Sequence, residues 1–240
     1  MTEPELSTEE RVERSAIAAA EELRATKAAE RPAWYSPVAH LLAPTILGLG
    51  LCYVGVSQLG ELNWLDWLSI PVFWVFSNFI EWHAHRDLLH TNSAKLPSLY
   101  EGHTLNHHKI FPAADMAVRS RAEWREVLLP PLAVLMLLGL LLPVFSLFWF
   151  LGFENLALLY MTVGALYVLS YEWLHLSYHL DPEGFIGGLK VIRALRAHHT
   201  VHHNPRFMKR WNMNVTIPFW DWVRGTTADE EVQAKAPRGS

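Results

Sequence analysis

The sequence has a single cysteine, few charges and long stretches without any charged residue. Cys52 has no partner in the chain, which excludes an intramolecular disulfide. Charged residues make up 18% of the 240 residues, and the formal net charge of -4 gives no basic excess of the kind that nucleic-acid binding requires. Hydrophobic residues make up 51%, with 11 Trp. This composition is typical of an integral membrane protein rather than of a soluble domain.

Four apolar runs divide the chain, at residues 41–60, 67–80, 127–153 and 156–171. Because about 20 apolar residues cross a bilayer, the first and third runs qualify alone. The second and fourth reach that length only if their helices extend past the hydrocarbon edge. Pro143 is expected to kink the third run or to divide it into a re-entrant pair of half-helices. We therefore predict an all-α integral membrane protein with about four transmembrane helices.

Lysine and arginine are confined to three segments: residues 1–31, residues 82–126 and the part after Leu180. The short connections around residues 61–66 and 152–155 contain none. With four spans, the three basic segments lie on one side of the membrane, which the positive-inside rule assigns to the cytoplasm. A bacterial inner membrane or the endoplasmic reticulum fits this orientation.

Three regions are expected along the chain. Residues 1–33 form a polar extension, in which Ser7 and Glu10 have the spacing of a capping box before a helical stretch. Residues 34–226 form the membrane-embedded domain with a cytoplasmic helical cap. Residues 227–240 are expected to be a disordered tail.

All histidines except His40 and His83 fall into four short motifs on the predicted cytoplasmic side. His40 stands alone at the start of the first run, and we interpret it as an interfacial residue whose replacement is nearly neutral. Glu81, four residues before His85, is interpreted as an acceptor behind that imidazole or as a terminal ligand. The motif residues are His85 and His90; His103, His107 and His108; His175 and His179; and His198, His199, His202 and His203.

This crowding of imidazoles predicts metal binding, because histidine is the commonest metal ligand. About ten imidazoles exceed the needs of one ion, so two ions are expected. Imidazole suits Fe, Zn, Cu and Ni, and a pair of iron ions is the physiological expectation, with zinc possible in purified samples. Two irons beside a bilayer, with no hydrolytic nucleophile in the sequence, indicate O2 activation.

The motifs H-x4-H, H-x3-H-H, H-x3-H and H-x2-H-H together resemble the fatty acid hydroxylase/sterol desaturase superfamily of membrane di-iron oxygenases. The likeness covers roughly residues 74–226. Within that superfamily the fatty acid 2-hydroxylases are the most similar. Their conserved elements are matched here by Tyr171, Glu172, His175 and His179; by His198, His199, His202 and His203; and by Trp220, Asp221, Gly225 and Thr226.

The resemblance implies that the ligands are His85, His90, His103, His107, His108, His175, His179, His199, His202 and His203, with His198 ranked last. Glu172, one turn before His175, is expected to carry a catalytic role or to accept a proton from an imidazole. The implied reaction is hydroxylation of a lipid, expected to be a fatty acyl chain, with O2. Because the H-P-G-G signature of a cytochrome b5 domain is absent, electrons are expected from a separate cytochrome b5-like or ferredoxin-like protein.

Histidine spacing leaves other functions open. A sterol or fatty acyl desaturase and a carotenoid hydroxylase would share these ligands. A membrane haem protein would need paired histidines within the spans, whereas these lie at the predicted cytoplasmic ends. A metal transporter would need polar ligands at mid-membrane, yet the third run is wholly apolar.

The charge distribution predicts that both termini lie on the same, cytoplasmic side of the membrane. Reporter fusions after Lys27 and after Gly239 should report one compartment. Opposite compartments would require an odd number of spans and would contradict the four-span prediction.

Overall fold

A computed structural model describes residues 7–235, and residues 1–6 and 236–240 lie outside the described part. Every regular element within residues 7–235 is helical, and no strand occurs there, which confirms the predicted all-α fold class. The elements are α1 (Thr8–Ala29), α2 (Pro37–Ser57), α3 (Trp64–Ala84), the π-helical turn π1 (His85–Leu89), α4 (Pro97–Tyr100), the π-helical segment π2 (Glu101–His107), α5 (His108–Ile110), a 3-10 segment (Arg121–Glu126), α6 (Pro131–Gly139), α7 (Leu142–Phe150), α8 (Glu154–Tyr178), α9 (Lys190–His202), α10 (Phe219–Arg224) and α11 (Glu230–Lys235).

Helix α1 begins with the capping box that the sequence predicts. The Ser7 backbone N–H donates to the Glu10 carboxylate at 2.8 Å, and the Glu10 N–H donates to Ser7 Oγ at 3.3 Å. Two of the otherwise unpaired N–H groups at the helix start are thereby satisfied. The Ala- and Glu-rich sequence that follows favours a helix and continues to Ala29.

Helix α8 is the centre of the fold, and it packs against α2, α3, α6 and α7. Helix α3 runs parallel to it, because Asp66 contacts Asn155 near the start of both helices and Asn78 contacts Tyr167 further along both. The C-terminal ends of α3 and α8 therefore meet at one end of the bundle. That end carries the remaining helices as a cap.

Three helical stretches are long and apolar enough to cross a membrane: Pro37–Ser57, Pro131–Phe150 and Glu154–Tyr178. They correspond to the first, third and fourth runs of the sequence. Helix α3 has the same length as α2 but is not among the three. Its buried polar residues include Asp66, Asn78 and Glu81, which lower its hydropathy. Four spans stay a prediction.

The third run is divided into α6 and α7 at residues 140–141, just before Pro143. Its contacts nevertheless advance in one direction along α8. The Leu129 N–H bonds to Glu172 near the C-terminal end of α8, and Phe148 packs against Tyr160 near its start. A re-entrant pair would double back along its neighbour. The run therefore follows α8 once, antiparallel and interrupted by the proline.

The C-terminal stretch differs from the expected disordered tail. Helix α11 occupies Glu230–Lys235, and Ala228 before it is buried, with its N–H donating to Asn212 Oδ1 at 2.8 Å. The Gln233 side-chain amide donates to the Ala228 carbonyl at 2.9 Å. Residues 227–235 thus have local structure that their polar composition did not indicate, and residues 236–240 lie outside the described part.

Close packing of α2 against α8 depends on glycine at position 55. A methyl group there would lie 2.3 Å from Thr162 Oγ1 and 3.3 Å from the Leu158 carbonyl, whereas a methyl group at Gly50 would meet nothing within 4 Å. We expect Gly55→Ala to destabilise the bundle by roughly 1–3 kcal/mol through overpacking. Gly50→Ala should be neutral or slightly stabilising, because alanine favours a helix.

The comparison is made by thermal unfolding of both purified variants in detergent. Equal midpoints for the Gly55 and Gly50 variants would contradict the α2–α8 packing described here.

Candidate metal centre

Ten of the predicted histidines converge into two buried groups at the capped end of the bundle. In each group, one nitrogen of every imidazole lies within 4.8 Å of the corresponding nitrogens of all the others. Cluster A consists of His85, His90, His103, His108 and His202. Cluster B consists of His107, His175, His179, His199 and His203.

The π-helical segments explain the five-residue spacings in cluster A. In an α-helix, residues i and i+5 face different directions, but a π-helical turn bonds i to i+5 and brings them together. The His90 N–H donates to the His85 carbonyl in π1 at 3.2 Å, and the His108 N–H donates to the His103 carbonyl at the end of π2. His107, adjacent to His108, turns instead to cluster B.

The facing nitrogens have the spacing of donor atoms around a metal ion. His90 Nε2 lies 2.9 Å from His202 Nε2 and 3.2 Å from His85 Nε2. In cluster B, His107 Nε2 lies 3.2 Å from His203 Nε2. With metal–nitrogen bonds of about 2.1 Å, neighbouring donors at right angles are about 3.0 Å apart.

In six of the ten rings, the nitrogen on the other side bonds to an oxygen atom of the cap. His90 Nδ1 lies 3.1 Å from Thr104 Oγ1, whose own hydrogen is donated to the Leu89 carbonyl, so the imidazole is the donor. Backbone carbonyls accept from five further Nδ1–H groups, a pattern typical of metal-binding histidines. The pairs are His85 with Met213, His202 with Trp211, His107 with Glu126, His179 with Met116, and His203 with Phe111.

These hydrogen bonds place lone pairs opposite one another. Because His90 and His202 each carry their proton on Nδ1 when neutral, both Nε2 atoms are bare at 2.9 Å separation. Two bare lone pairs at this distance repel unless a cation lies between them. In cluster B, His179 Nε2 is buried without a hydrogen-bond partner among the described residues. The residues present therefore fit one metal ion in each cluster.

Burial keeps the imidazoles neutral and available as ligands. Loss of hydration lowers the pKa of His85 and of His107 to about 4, although a hydrogen bond to a backbone carbonyl opposes the shift in both. Loss of hydration, with a smaller effect from neighbouring histidines, lowers the pKa of His90 to about 2. A neutral imidazole offers its lone pair to a metal, whereas a protonated one repels it. Near neutral pH these side chains are therefore uncharged and able to bind a metal.

Three stacked imidazole pairs connect the clusters. The ring centroids are 4.2 Å apart for His108 with His203, 5.1 Å for His103 with His107, and 5.8 Å for His199 with His202. Neither cluster includes a carboxylate among the described residues. The two candidate metal positions are thus neighbours separated by imidazole rings rather than bridged by Asp or Glu.

Three sequence interpretations need correction. His198 lies outside both clusters, with Nε2 3.3 Å from Asp221 Oδ2, because it faces away from His199 on α9.

Glu172 accepts no hydrogen bond from an imidazole. Its Oε1 accepts from the Leu129 N–H at 3.2 Å, and its buried Oε2 has no partner among the described residues. His40 is buried rather than interfacial, and its ring nitrogens bond to Tyr35 Oη and the Leu129 carbonyl, each at 2.9 Å.

Glu81 is neither a ligand nor a direct partner of His85. Its carboxylate accepts from the Thr216 N–H at 3.0 Å and from Thr216 Oγ1 at 2.6 Å, and it also bonds to the Tyr167 hydroxyl. Asp221 accepts from the backbone N–H groups of Met213 at 3.1 Å and Asn214 at 2.8 Å.

These two buried carboxylates accept hydrogen bonds from the backbone N–H groups of residues 213–216. In the same part of the chain, the carbonyls of Trp211 and Met213 accept from two histidines of cluster A. Sequence reasoning missed the role of Glu81, because its backbone partners are more than 100 residues away along the chain.

The fold and the paired clusters define a class of helical proteins that combine helices long enough to cross a membrane with a histidine-rich candidate metal centre. The family model described as fatty acid hydroxylase matches residues 70–226, and the chain belongs to this family. A solved structure described as full-length Scs7p, with only the hydroxylase domain visible, has a similar fold. Its TM-score is 0.58 at 20% identity over 85% of this chain and 70% of that chain. No curated protein matches the sequence.

Histidines inside and outside the clusters should respond differently to replacement. We expect His203→Ala to lower the metal content of the purified protein markedly, because Nε2 of His203 faces His107 and His199 in cluster B. His198→Ala, on the same helix but outside the clusters, should keep the wild-type metal content. Elemental analysis of both variants makes the comparison, and equal losses would contradict the assignment.

Proposed function

We propose that the protein is a membrane-bound di-iron oxygenase that hydroxylates a lipid, with a fatty acyl chain as substrate. Membership of the fatty acid hydroxylase family supports a hydroxylase-type oxygenase. The observation that carries the dimetal part of the proposal is the pair of buried five-histidine clusters with bare nitrogens about 3 Å apart. Iron, O2 and a separate cytochrome b5-like or ferredoxin-like electron donor complete the proposal.

When bound, a pair of iron ions would supply the activation of O2 that oxidation of an unactivated C–H bond requires. Cluster A and cluster B would each hold one ion through their imidazole nitrogens. The cap carbonyls keep the Nδ1 protons in place, so the ligating nitrogens stay free. Complete burial of His179 and His202 excludes bulk water from both clusters.

Glu172 is the carboxyl group best placed to serve the reaction without being a ligand. It lies one turn before His175 on α8, and its Oε2 is buried with no partner among the described residues. We propose that this oxygen holds a proton or contacts the substrate beside cluster B.

The direct test is lipid mass spectrometry of cells that express the wild type or His179→Ala. The wild type should produce a lipid that gains one oxygen atom, and the variant should not, because His179 Nε2 is a proposed ligand in cluster B. A product that instead loses two hydrogen atoms would identify a desaturase. Identical lipids in both strains would contradict an oxygenase function.

Replacing Glu172 by Gln should lower turnover on the order of 10–100-fold, the typical cost of losing a supporting group near a metal. The metal content should stay at the wild-type level, because Glu172 is outside both clusters. Turnover is measured as hydroxylated lipid per purified enzyme. Full activity of Glu172→Gln would remove this residue from the proposal.

A further inference from the structure

A pocket of about 610 Å³ lies at the C-terminal end of α3, beside the segment that follows α9. Its charged lining is entirely basic, and Trp82 lies beneath two of the cations. We refer to it as the basic pocket; it is lined by Trp82, Arg86, Lys209, Arg210, Val223, Arg224 and Thr226.

Few carboxylates lie close enough to neutralise the cations of the basic pocket. Arg86 pairs with Asp87 at 2.7 Å. Among the side chains that the structure describes, no carboxylate forms an ion pair with Lys209, Arg210 or Arg224, and all three are exposed. Like charges gathered in one concave site repel each other and attract anions.

The site is ordered around the Trp82 ring. The guanidinium carbons of Arg86 and Arg224 lie 4.5 Å and 4.8 Å from the ring centroid, within the range of cation–π contacts. The ring is itself fixed, because Trp82 Nε1 donates to Asp221 at 3.0 Å. The fixed ring holds the Arg224 guanidinium in place at the pocket. An arginine ordered in this way is suited to bind a phosphate group, which arginine recognises through paired N–H donors.

Exposed apolar residues beside the basic pocket favour a membrane source for that phosphate. Helix α10 packs on the last turns of α3, where the Trp220 N–H donates to Asn78 Oδ1 at 2.9 Å. Trp222 and Val223 on the same helix are 61% and 57% exposed. Tryptophan beside basic residues is typical of segments at the membrane–water interface.

We propose that the basic pocket binds a phosphate group, and that its source is the headgroup of an anionic phospholipid at the membrane surface. Trp222 and Val223 would contact the acyl boundary while Lys209, Arg210 and Arg224 contact the phosphate. This site is separate from clusters A and B and does not depend on the proposed hydroxylase reaction.

The test uses purified full-length protein in neutral detergent. Phosphatidylglycerol or phosphatidylcholine is titrated and bound lipid is counted by native mass spectrometry. Inorganic phosphate is titrated separately and followed by the thermal unfolding midpoint. The pocket variant is Lys209→Gln with Arg224→Gln. Its matched control, Lys190→Gln with Arg193→Gln, removes two exposed charges outside the pocket.

We expect the wild type and the control to prefer phosphatidylglycerol over phosphatidylcholine. The pocket variant should bind phosphatidylglycerol roughly thirtyfold more weakly than the wild type, because each of the two basic residues removed contributes about fivefold to affinity for an anionic lipid. A stabilisation by inorganic phosphate that the pocket variant loses, without lipid preference, would support the phosphate site but assign it a soluble ligand. Equal binding of both anions by pocket variant and control would overturn the proposal. So would an absence of both lipid preference and stabilisation by phosphate in the wild type.

A second inference concerns α1, which lies outside the residues that the family model matches. Arg24 of this helix is buried, with 6% exposed, and reaches the loop before the third run. Its Nη2 donates to the Ile110 carbonyl at 2.9 Å, its Nη1 pairs with Glu123, and its guanidinium lies 4.9 Å from the Phe111 ring centroid.

The loop that Arg24 holds supplies acceptors only to cluster B. Carbonyls of Phe111, Met116 and Glu126 accept from three of its imidazoles, as described above. The acceptors found for cluster A come from Thr104 and from residues 211–213. We infer that Arg24 is a positioning residue for cluster B, which rests on the proposed metal site.

The test is metal content per chain. Arg24→Met should lower it from about two ions toward one, whereas Arg14→Met, an exposed position on the same helix, should leave it unchanged. Adding His85→Ala from cluster A to Arg24→Met should remove the remaining ion. Adding His175→Ala from cluster B should change nothing further. Arg24→Lys, which keeps the charge, should restore part of the loss.

Wild-type content in Arg24→Met, or equal loss from both clusters, would overturn the inference. Should Arg24→Met fail to fold, Glu123→Gln removes the partner charge and should show the same selectivity for cluster B. A wild-type protein without two metal ions would refute the proposed function itself, independently of Arg24.

Discussion

The rest of this structure depends on one constraint. Ten imidazoles are buried together, and facing nitrogens of these rings lie about 3 Å apart. Without cations between them, the lone pairs of His90 and His202 repel each other, and each buried ring has given up its hydration. The arrangement holds only if the opposite side of the rings is fixed by hydrogen bonds. Backbone carbonyls of the cap provide most of the bonds observed, so the position of the backbone determines the two candidate metal positions.

Two separate scaffolds meet this constraint. Carbonyls of Trp211 and Met213 orient His202 and His85 of cluster A, and the buried carboxylates of Glu81 and Asp221 hold the backbone of residues 213–216 beside them. Residues 110–126 orient ligands of cluster B and are held by Arg24. Each scaffold joins a loop of the cap to a helix that is distant in sequence. Each cluster has five histidines, but different segments of the chain hold the two clusters in place.

The histidine motifs, with the family resemblance that they carry, pointed to the ten histidines that converge into two buried clusters. That these residues bind metal stays a prediction. The motifs did not divide the ten histidines between the two clusters. The adjacent residues His107 and His108 separate because π2 changes the helical period between them, and period changes leave no clear mark in composition. His198 was included because it extends the motif, although it faces Asp221. The supporting roles of Arg24 and Glu81 depend on tertiary contacts that a single sequence does not reveal.

The central claim is that the two clusters hold two metal ions. Elemental analysis of the purified wild-type protein tests this claim most directly. The comparison is a double variant, His202→Ala with His203→Ala, that lacks one histidine from each cluster. The account predicts about two transition-metal ions per wild-type chain, with iron after growth in iron, and almost none in the double variant. One iron per chain with a haem absorption band, or a fully active protein without metal, would contradict it.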